Sequence, residues 1–299
     1  MLLMTGATGL VGSTLLRRLL AEGTQVRCLV RDPRRLGTQR VRVQIALGDL
    51  TDPPSFRNAL RGVDTVVHLA AAIRDQPRGS IEELDGIATW RMVEAAERQG
   101  VERFVFFSAL GASTHNRTRA LRAKAHAEQA VVEADLHSIV FAPSIVYAPG
   151  DPWLTLLERL ALLPVVPVSG GGEARFQPIW AEDVADCVVA SLHEGAGGEN
   201  GQRHRRYELA GPETLSHSEI VATVLRALRR SRPLLHVPTP IVSRALRVLE
   251  AAAGERAFAT WDEAELMEVS MVSARGTADV GALGVVPQRM SAVLEAAAG

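Results

Sequence analysis

Residues Met1 to Glu22 limit the possible folds more than any other stretch. Met1-Leu-Leu-Met-Thr5 is apolar enough for a buried strand, and Leu15, Leu16, Leu19 and Leu20 share one face of a following helix. Between them stand Gly6, Gly9 and Gly12, spaced G-x-x-G-x-x-G. That spacing lets the backbone leave the strand sharply, brings bare N–H groups to a pyrophosphate, and lets the helix pack closely on the sheet. Because the glycines follow a strand and open a helix, they read as a dinucleotide site rather than a plain turn.

The alternation continues. Val26 to Arg31 suits a second buried strand, Val41 to Leu47 a third, Asp64 to Ala70 a fourth, Arg103 to Ser108 a fifth and Ser138 to Phe141 a sixth. Helical patterns separate them, including Gly79 to Gln99, stopped by Gly100, and Arg117 to Ala134. Pro53 and Pro54 sit where a helix begins, with Thr51 or Asp52 as its cap. Six such strands imply an α/β fold with a doubly wound parallel sheet. At the end of the second strand an acidic residue would grip a ribose 2′-OH, whereas arginine suits a 2′-phosphate. Arg31 occupies that end, with Arg34 and Arg35 beyond it, so NADP is expected ahead of NAD. His68, inside the fourth strand, reads as a packed core histidine.

Beyond Pro143 the pattern becomes irregular. A turn-rich stretch around Tyr147 leads to a helix over Leu154 to Leu163, a possible strand over Arg175 to Trp180, and a helix opened by Glu182 and Asp183. Arg206 to Ala210 returns to strand character, and Pro238 to Gly299 is mainly helical with breaks at Gly254, Gly276, Gly284 and Pro287. The expected organisation is a dinucleotide-binding unit over 1–211, with 149–178 contributing to the substrate cover. A mostly helical, dependent covering region follows over 212–299.

In 299 residues the formal net charge is −1, which gives no electrostatic reason to propose nucleic acid as a partner. No apolar run approaches the roughly 20 residues needed to span a bilayer. No basic leader precedes the first strand, so the cytoplasm is the expected compartment. Cys28 and Cys187 read as buried small hydrophobes, and no metal set is apparent. One imbalance stands out: the cations comprise 32 arginines and a single lysine, Lys124. A coding bias towards arginine would remove lysine but would not keep one. Arginine cannot replace a compact ammonium, which makes Lys124 a candidate functional residue.

Several blocks recur in family order: Thr5-Gly-Ala-Thr-Gly-Leu-Val-Gly12, Gly48-Asp49-Leu50, His68-Leu-Ala-Ala71, Phe107-Ser-Ala-Leu-Gly-Ala112, the Lys124 helix, Pro143-Ser-Ile-Val-Tyr147 and Gln177-Pro-Ile-Trp-Ala-Glu-Asp-Val-Ala185. The chain resembles an atypical or extended short-chain dehydrogenase/reductase, near the NmrA-like group and the nucleotide-binding accessory subunit of respiratory complex I. The likeness is good over Met1 to Gly211 and loose in the tail. It implies a Rossmann sheet with Gly6, Thr8, Gly9, Leu10, Val11 and Gly12 at the pyrophosphate and Arg31 at the 2′-phosphate. Asp49 and Leu50 would lie at the adenine, Ala70 and Ala71 beside the ribose, and Pro143, Ser144 and Ile145 beside the nicotinamide. Ser108 and Lys124 match active-site positions, and Lys124 also a cofactor contact.

Members with the usual mechanism carry a tyrosine four residues before the lysine, on the same helical face. Here that residue is Ala120. Reduction of a carbonyl leaves an alkoxide that needs a proton, and alanine has none to give. Two readings follow. In one, the chain reduces a small hydrophobic carbonyl, quinone or enone with NADPH, the proton coming from Lys124, water, His115 or Tyr147. In the other, it is a catalytically silent NADP(H)-binding sensor, regulatory or assembly protein. Monomer and homodimer both remain open.

Overall fold

Each apolar run of the first half becomes a strand, and each helical pattern crosses to one face or the other. The computed structural model describes residues 1–72, 75–76, 79–194, 202–253 and 260–298. In chain order the first elements are β1 (Leu2–Thr5), α1 (Leu10–Ala21), β2 (Val26–Val30), β3 (Gln44–Leu47), α2 (Pro53–Phe56) and β4 (Thr65–His68). Next come α3 (Ala88–Arg98), β5 (Arg103–Phe107), α4 (Arg119–Glu133), β6 (His137–Pro143), β7 (Val146–Tyr147), α5 (Pro152–Leu160) and β8 (Val166–Ser169). β9 (Arg175–Phe176), β10 (Ile179–Trp180), α6 (Ala181–His193), β11 (His204–Leu209), β12 (Leu215–Ser216), α7 (His217–Ala227) and β13 (Leu234–Val237) follow. The chain closes with α8 (Thr239–Ala253), α9 (Trp261–Leu266), α10 (Ala278–Ala282) and α11 (Met290–Ala298). None of the described helices is long and apolar enough to cross a membrane.

Seven strands form one parallel sheet in the order β11-β6-β5-β4-β1-β2-β3, a Rossmann-like α/β fold. Burial on both faces explains the continuous apolar strands. In β5, Phe104 and Phe106 join one core with residues of α3 and α4, while Val105 and Phe107 join the opposite core with residues of α1 and α6. The winding reverses between β1 and β4, which opens a crevice at their carboxyl ends, where ligands of such sheets bind.

The structure corrects several expectations. The sheet has seven strands rather than six, because Arg206 to Ala210 falls on β11, which pairs in parallel with β6. The third strand is shorter than Val41 to Leu47. Asp32 accepts a bond from the Arg34 N–H and starts tight turns over Pro33–Val41, leaving Val41 83% exposed. The Gly79 to Gln99 helix begins as a π-turn over Glu82–Ile87. At α2 the cap position is Asp52, but its side chain caps nothing, and the Thr51 hydroxyl donates to Asp49 instead. Pro178 lies in the break that splits Arg175 to Trp180 into β9, antiparallel to β12, and β10, parallel to β7. The break expected at Gly254 lies outside the described residues.

The C-terminal third shares an apolar core with residues after β5, including Leu110, Leu154, Phe176, Ile220, Met271 and Met290. Its tail is tied back to the sheet. The Ser144 hydroxyl donates to the Met271 carbonyl at 2.7 Å, and the Ser273 N–H donates to Gln177 at 2.7 Å. On β11 the Glu208 N–H donates to Asp279 at 2.8 Å.

His68 is a core histidine, as the sequence suggests. It is fully buried, 3.0 Å from the Thr5 hydroxyl through Nδ1 and 3.2 Å from the Thr89 hydroxyl through Nε2. Burial, helped by the charge of Lys124, lowers its pKa from 6.5 to about 3. The unfolded chain therefore binds a proton across that window while the folded chain does not, so acid favours unfolding. The contribution is of order 1.4 kcal/mol per pH unit. Denaturant titrations from pH 7 to 4 should show a shallower loss of stability in His68→Gln than in the wild type; equal slopes would contradict this account.

Candidate active site

The crevice between β1 and β4 is built on backbone contacts. Gly6 has φ +69°, and a Cβ there would lie 2.6 Å from the Ala70 nitrogen. At Gly12 a Cβ would lie 2.1 Å from the Gly6 carbonyl oxygen. Only hydrogen fits either place. Gly9 stands at the N-cap of α1 without a side-chain cap, and no acidic residue occupies the first turn. The first-turn N–H groups, supplied by residues including Leu10, Val11 and Gly12, and the helix dipole thus form an anion site.

A cleft of about 640 Å³ continues from this loop, lined by Thr8, Arg31, Arg35, Asp49, Leu50, Ala70 and Ala71, among others. Its size suits a small-molecule ligand. Asp49 is oriented by Thr51, whose N–H and hydroxyl donate to its Oδ1 at 3.0 and 2.9 Å. Arg31 and Arg35 are exposed at the rim and make no ion pair among the described residues. The cradle, the uncapped helix and the free guanidinium groups fit a dinucleotide. Another cleft, about 550 Å³ and lined by residues including Glu22, Asp64, Glu102 and His193, lies at the amino edge of the strands, the wrong end for this sheet type.

At the carboxyl end of β5, Lys124 projects from α4 towards the sheet. Its ammonium donates to the Phe107 carbonyl at 2.8 Å and to Asp85 Oδ1 at 3.0 Å, and lies 5.1 Å from the centre of the Phe106 ring. Two of its three N–H groups are thereby used. The side chain keeps 12% exposure. Asp85 is buried in the π-turn; burial pushes its carboxyl up and the ammonium pulls it partway back. Ala120 packs in a small apolar cluster with Ile81 and Ala123.

The other candidates face elsewhere. Ser108 donates its hydroxyl to Glu128, which also accepts from Arg206 at 2.8 Å. His115 is on an exposed turn, with Nδ1 3.1 Å from the Thr114 hydroxyl. Tyr147 is fully buried and its hydroxyl lacks a hydrogen-bond partner among the described residues. Burial, then the carboxylates of Asp183 and Glu213, raise its phenol pKa. Neither His115 nor Tyr147 makes a described hydrogen bond with Lys124 or Ser108. Pro143, Ser144 and Ile145 leave β6 at the same sheet edge. The Ser144 hydroxyl is spent on Met271, and the Ile145 carbonyl accepts from the Ile179 N–H at 3.0 Å.

Sequence reasoning missed Asp85. A signal existed: it falls in register with Thr89, Met92 and Ala96, a stripe otherwise without charge. An acid on a buried stripe demands a cation. Also missed was Arg119, beside Ala120, which holds Asp75 and Glu82 in two-toothed ion pairs of 2.7 to 3.0 Å and draws the Glu82 carboxyl down to about 2.

Residues 6–195 match the family described as NAD(P)H-binding, and the chain belongs to that family, as an NmrA-like atypical short-chain dehydrogenase/reductase. Among its relatives is the NADH dehydrogenase [ubiquinone] 1 alpha subcomplex subunit 9, mitochondrial, of Arabidopsis thaliana, 29% identical over 79% of this chain and 60% of that one. Ceramide reductase of Caulobacter vibrioides is 31% identical over 62% of this chain and 59% of its own. The chain thus spans about 60% of the length of these two relatives. In fold it is similar to the NADPH-dependent quinone oxidoreductase of Escherichia coli solved with NADPH, with a TM-score of 0.77 at 14% identity over 100% of both chains.

The loop geometry sets a stringent test. Gly12→Ala should cost about 1–3 kcal/mol through overpacking and abolish the rise in melting temperature on adding NAD(P)H. A wild-type ligand-induced shift would show that the loop is not the cradle.

Proposed function

We propose that the chain is an NADP(H)-dependent reductase of a small hydrophobic carbonyl, quinone or enone. The observation that carries the reading is Lys124, the single lysine, held at the carboxyl end of β5 with one N–H unspent among the described residues. In this reading residues 1–211 hold the nucleotide and 212–299 cover the substrate.

NADPH, when bound, supplies a hydride to the electrophilic carbon. Gly6, Gly9, Gly12 and the first turn of α1 hold its pyrophosphate, Arg31 and Arg35 face the 2′-phosphate, and Asp49 with Leu50 borders the adenine. Ala70 to Ala72 and Leu84 give the crevice an apolar side. The free N–H of Lys124 gives a proton to the substrate oxygen as negative charge develops there, and its residual exposure lets solvent restore that proton. Ser108, joined to Glu128, positions α4 in this scheme. His115 and Tyr147 have no assigned step.

The second reading, a silent NADP(H)-binding sensor or assembly protein, draws support from Ala120 packed on Ile81 and from the buried Tyr147. A panel of quinones, enones and hydrophobic ketones separates the two. Under the reductase reading at least one compound is reduced with matching NADPH oxidation, and Lys124→Met lowers that turnover by about a hundredfold or more while NADPH still binds. No turnover across the panel favours the sensor.

Cofactor choice is tested apart from turnover. Arg31→Ala should weaken NADPH binding by about tenfold and leave NADH nearly unchanged in fluorescence titrations. Equal weakening of both would remove Arg31 from 2′-phosphate recognition.

A further inference from the structure

We propose that the outer face of the β8–β13 ladder docks on an anionic lipid surface, its aliphatic side chains entering the headgroup boundary and the arginines around it holding lipid phosphates. The docking goes beyond the reductase reading and does not depend on it.

The two strands pair in parallel, Val166 with Leu234 and Pro167 with Leu235. Because side chains alternate along a strand, the ladder has two faces. Val166 and Val168 are buried in the C-terminal core with Leu154, Phe176 and Ile220. Val165, Pro167 and Leu235 take the other face, and Pro233, two residues before Leu235, is exposed as well. Val165 is 37% and Leu235 55% exposed, and in the turn leading into β8 Leu162 and Leu163 keep 62% and 44%. Single exposed apolar residues are ordinary, but these lie together on one short piece of paired chain.

The surroundings are basic. Residues 159–172 and 220–249 contain seven arginines and no acidic residue, in a chain whose net charge is −1. The Arg230 guanidinium donates to the Ala161 carbonyl at 3.1 Å, which sets the connection before β13 beside Leu162 and Leu163. Arg159, Arg229 and Arg232 are exposed, and none of the three makes an ion pair among the described residues. Arg229 has φ +54°, the only positive value at a non-glycine among the described residues. It ends α7, where the N–H groups of Arg229 and Arg230 donate to the carbonyls of Arg226 and Leu225, both at 2.9 Å. Glycine is the favoured residue in that helix-ending turn. Arginine fits the backbone less well, and what it adds is charge.

Other occupants suit this face less. Strand addition needs N–H groups along an edge, and Pro167 and Pro233 have none. A second copy on the same face would set arginine against arginine. Protein partners are usually anchored by aromatic side chains, with Leu and Val under-represented, and the outer face carries no aromatic residue. A lipid surface asks for aliphatic area at the headgroup boundary and cations for its phosphates. The guanidinium fork matches phosphate oxygens.

The test uses the full chain with vesicles of phosphatidylcholine, alone or with about one-third phosphatidylglycerol, and reads the bound fraction by flotation. The anionic vesicles should bind about tenfold more protein at low salt, and the difference should shrink as salt rises. Leu162→Ser with Leu235→Ser, and separately Arg229→Gly with Arg232→Ser, should each lower that binding by about tenfold. Glycine suits the backbone at position 229, so the melting temperature should not fall and the loss reports charge. Val41→Ser, which removes an exposed apolar side chain just before β3, should bind as the wild type does.

Equal binding to both vesicles, binding to neither, unchanged binding in either double variant, or an equal loss in Val41→Ser overturns the proposal. So does a wild-type dimer in sedimentation velocity that Leu162→Ser with Leu235→Ser abolishes, because a second copy then occupies the face. Turnover of the quinone, enone and ketone panel is measured without vesicles, so failure of the reductase reading leaves the docking result untouched.

Discussion

The site depends on a backbone contact at Gly6, where the loops after β1 and β4 meet without room for a methyl group. From that contact follow the sharp exit of the chain from β1, the direction of α1, and the uncapped first turn that faces the crevice. The Gly12 contact with the Gly6 carbonyl closes the same unit from the helix side. Residues further out, including Arg31, Asp49 and Ala70, line one cleft because these backbones are close.

At the carboxyl end of β5, order comes from charge rather than from close backbone packing. Lys124 is surrounded by a carboxylate, a carbonyl and an aromatic face, while its neutral neighbour His68 is kept neutral by burial and by that same ammonium. The two ends are thus built by different physics. One needs the absence of side chains, and the other needs particular ones.

That difference also decided what the sequence revealed. Glycine spacing and doubly buried strands are local patterns, so the glycine turn and the first six strands were legible. Lys124 stood out through an arginine-rich composition. The place of β11 beside β6 was not legible, because the order of parallel strands is set by crossovers distant in sequence. The alternation around Val41 suggested strand, but Pro33 and the Asp32 cap favoured tight turns. Side-chain direction was the least legible property: Ser108 matched an active-site position, yet its hydroxyl turns to Glu128. Asp85 was overlooked because an acid in a helix usually faces water, and only its register with Thr89 and Met92 revealed otherwise.

The tail is stitched to the sheet edge at Ser144, Gln177 and Glu208, through Met271, Ser273 and Asp279. These stitches span the ends of two neighbouring strands, β6 and β11, and the segment just beyond them. Parting the tail from the sheet would therefore strip hydrogen bonds from the sheet's own edge, so the two are ordered together.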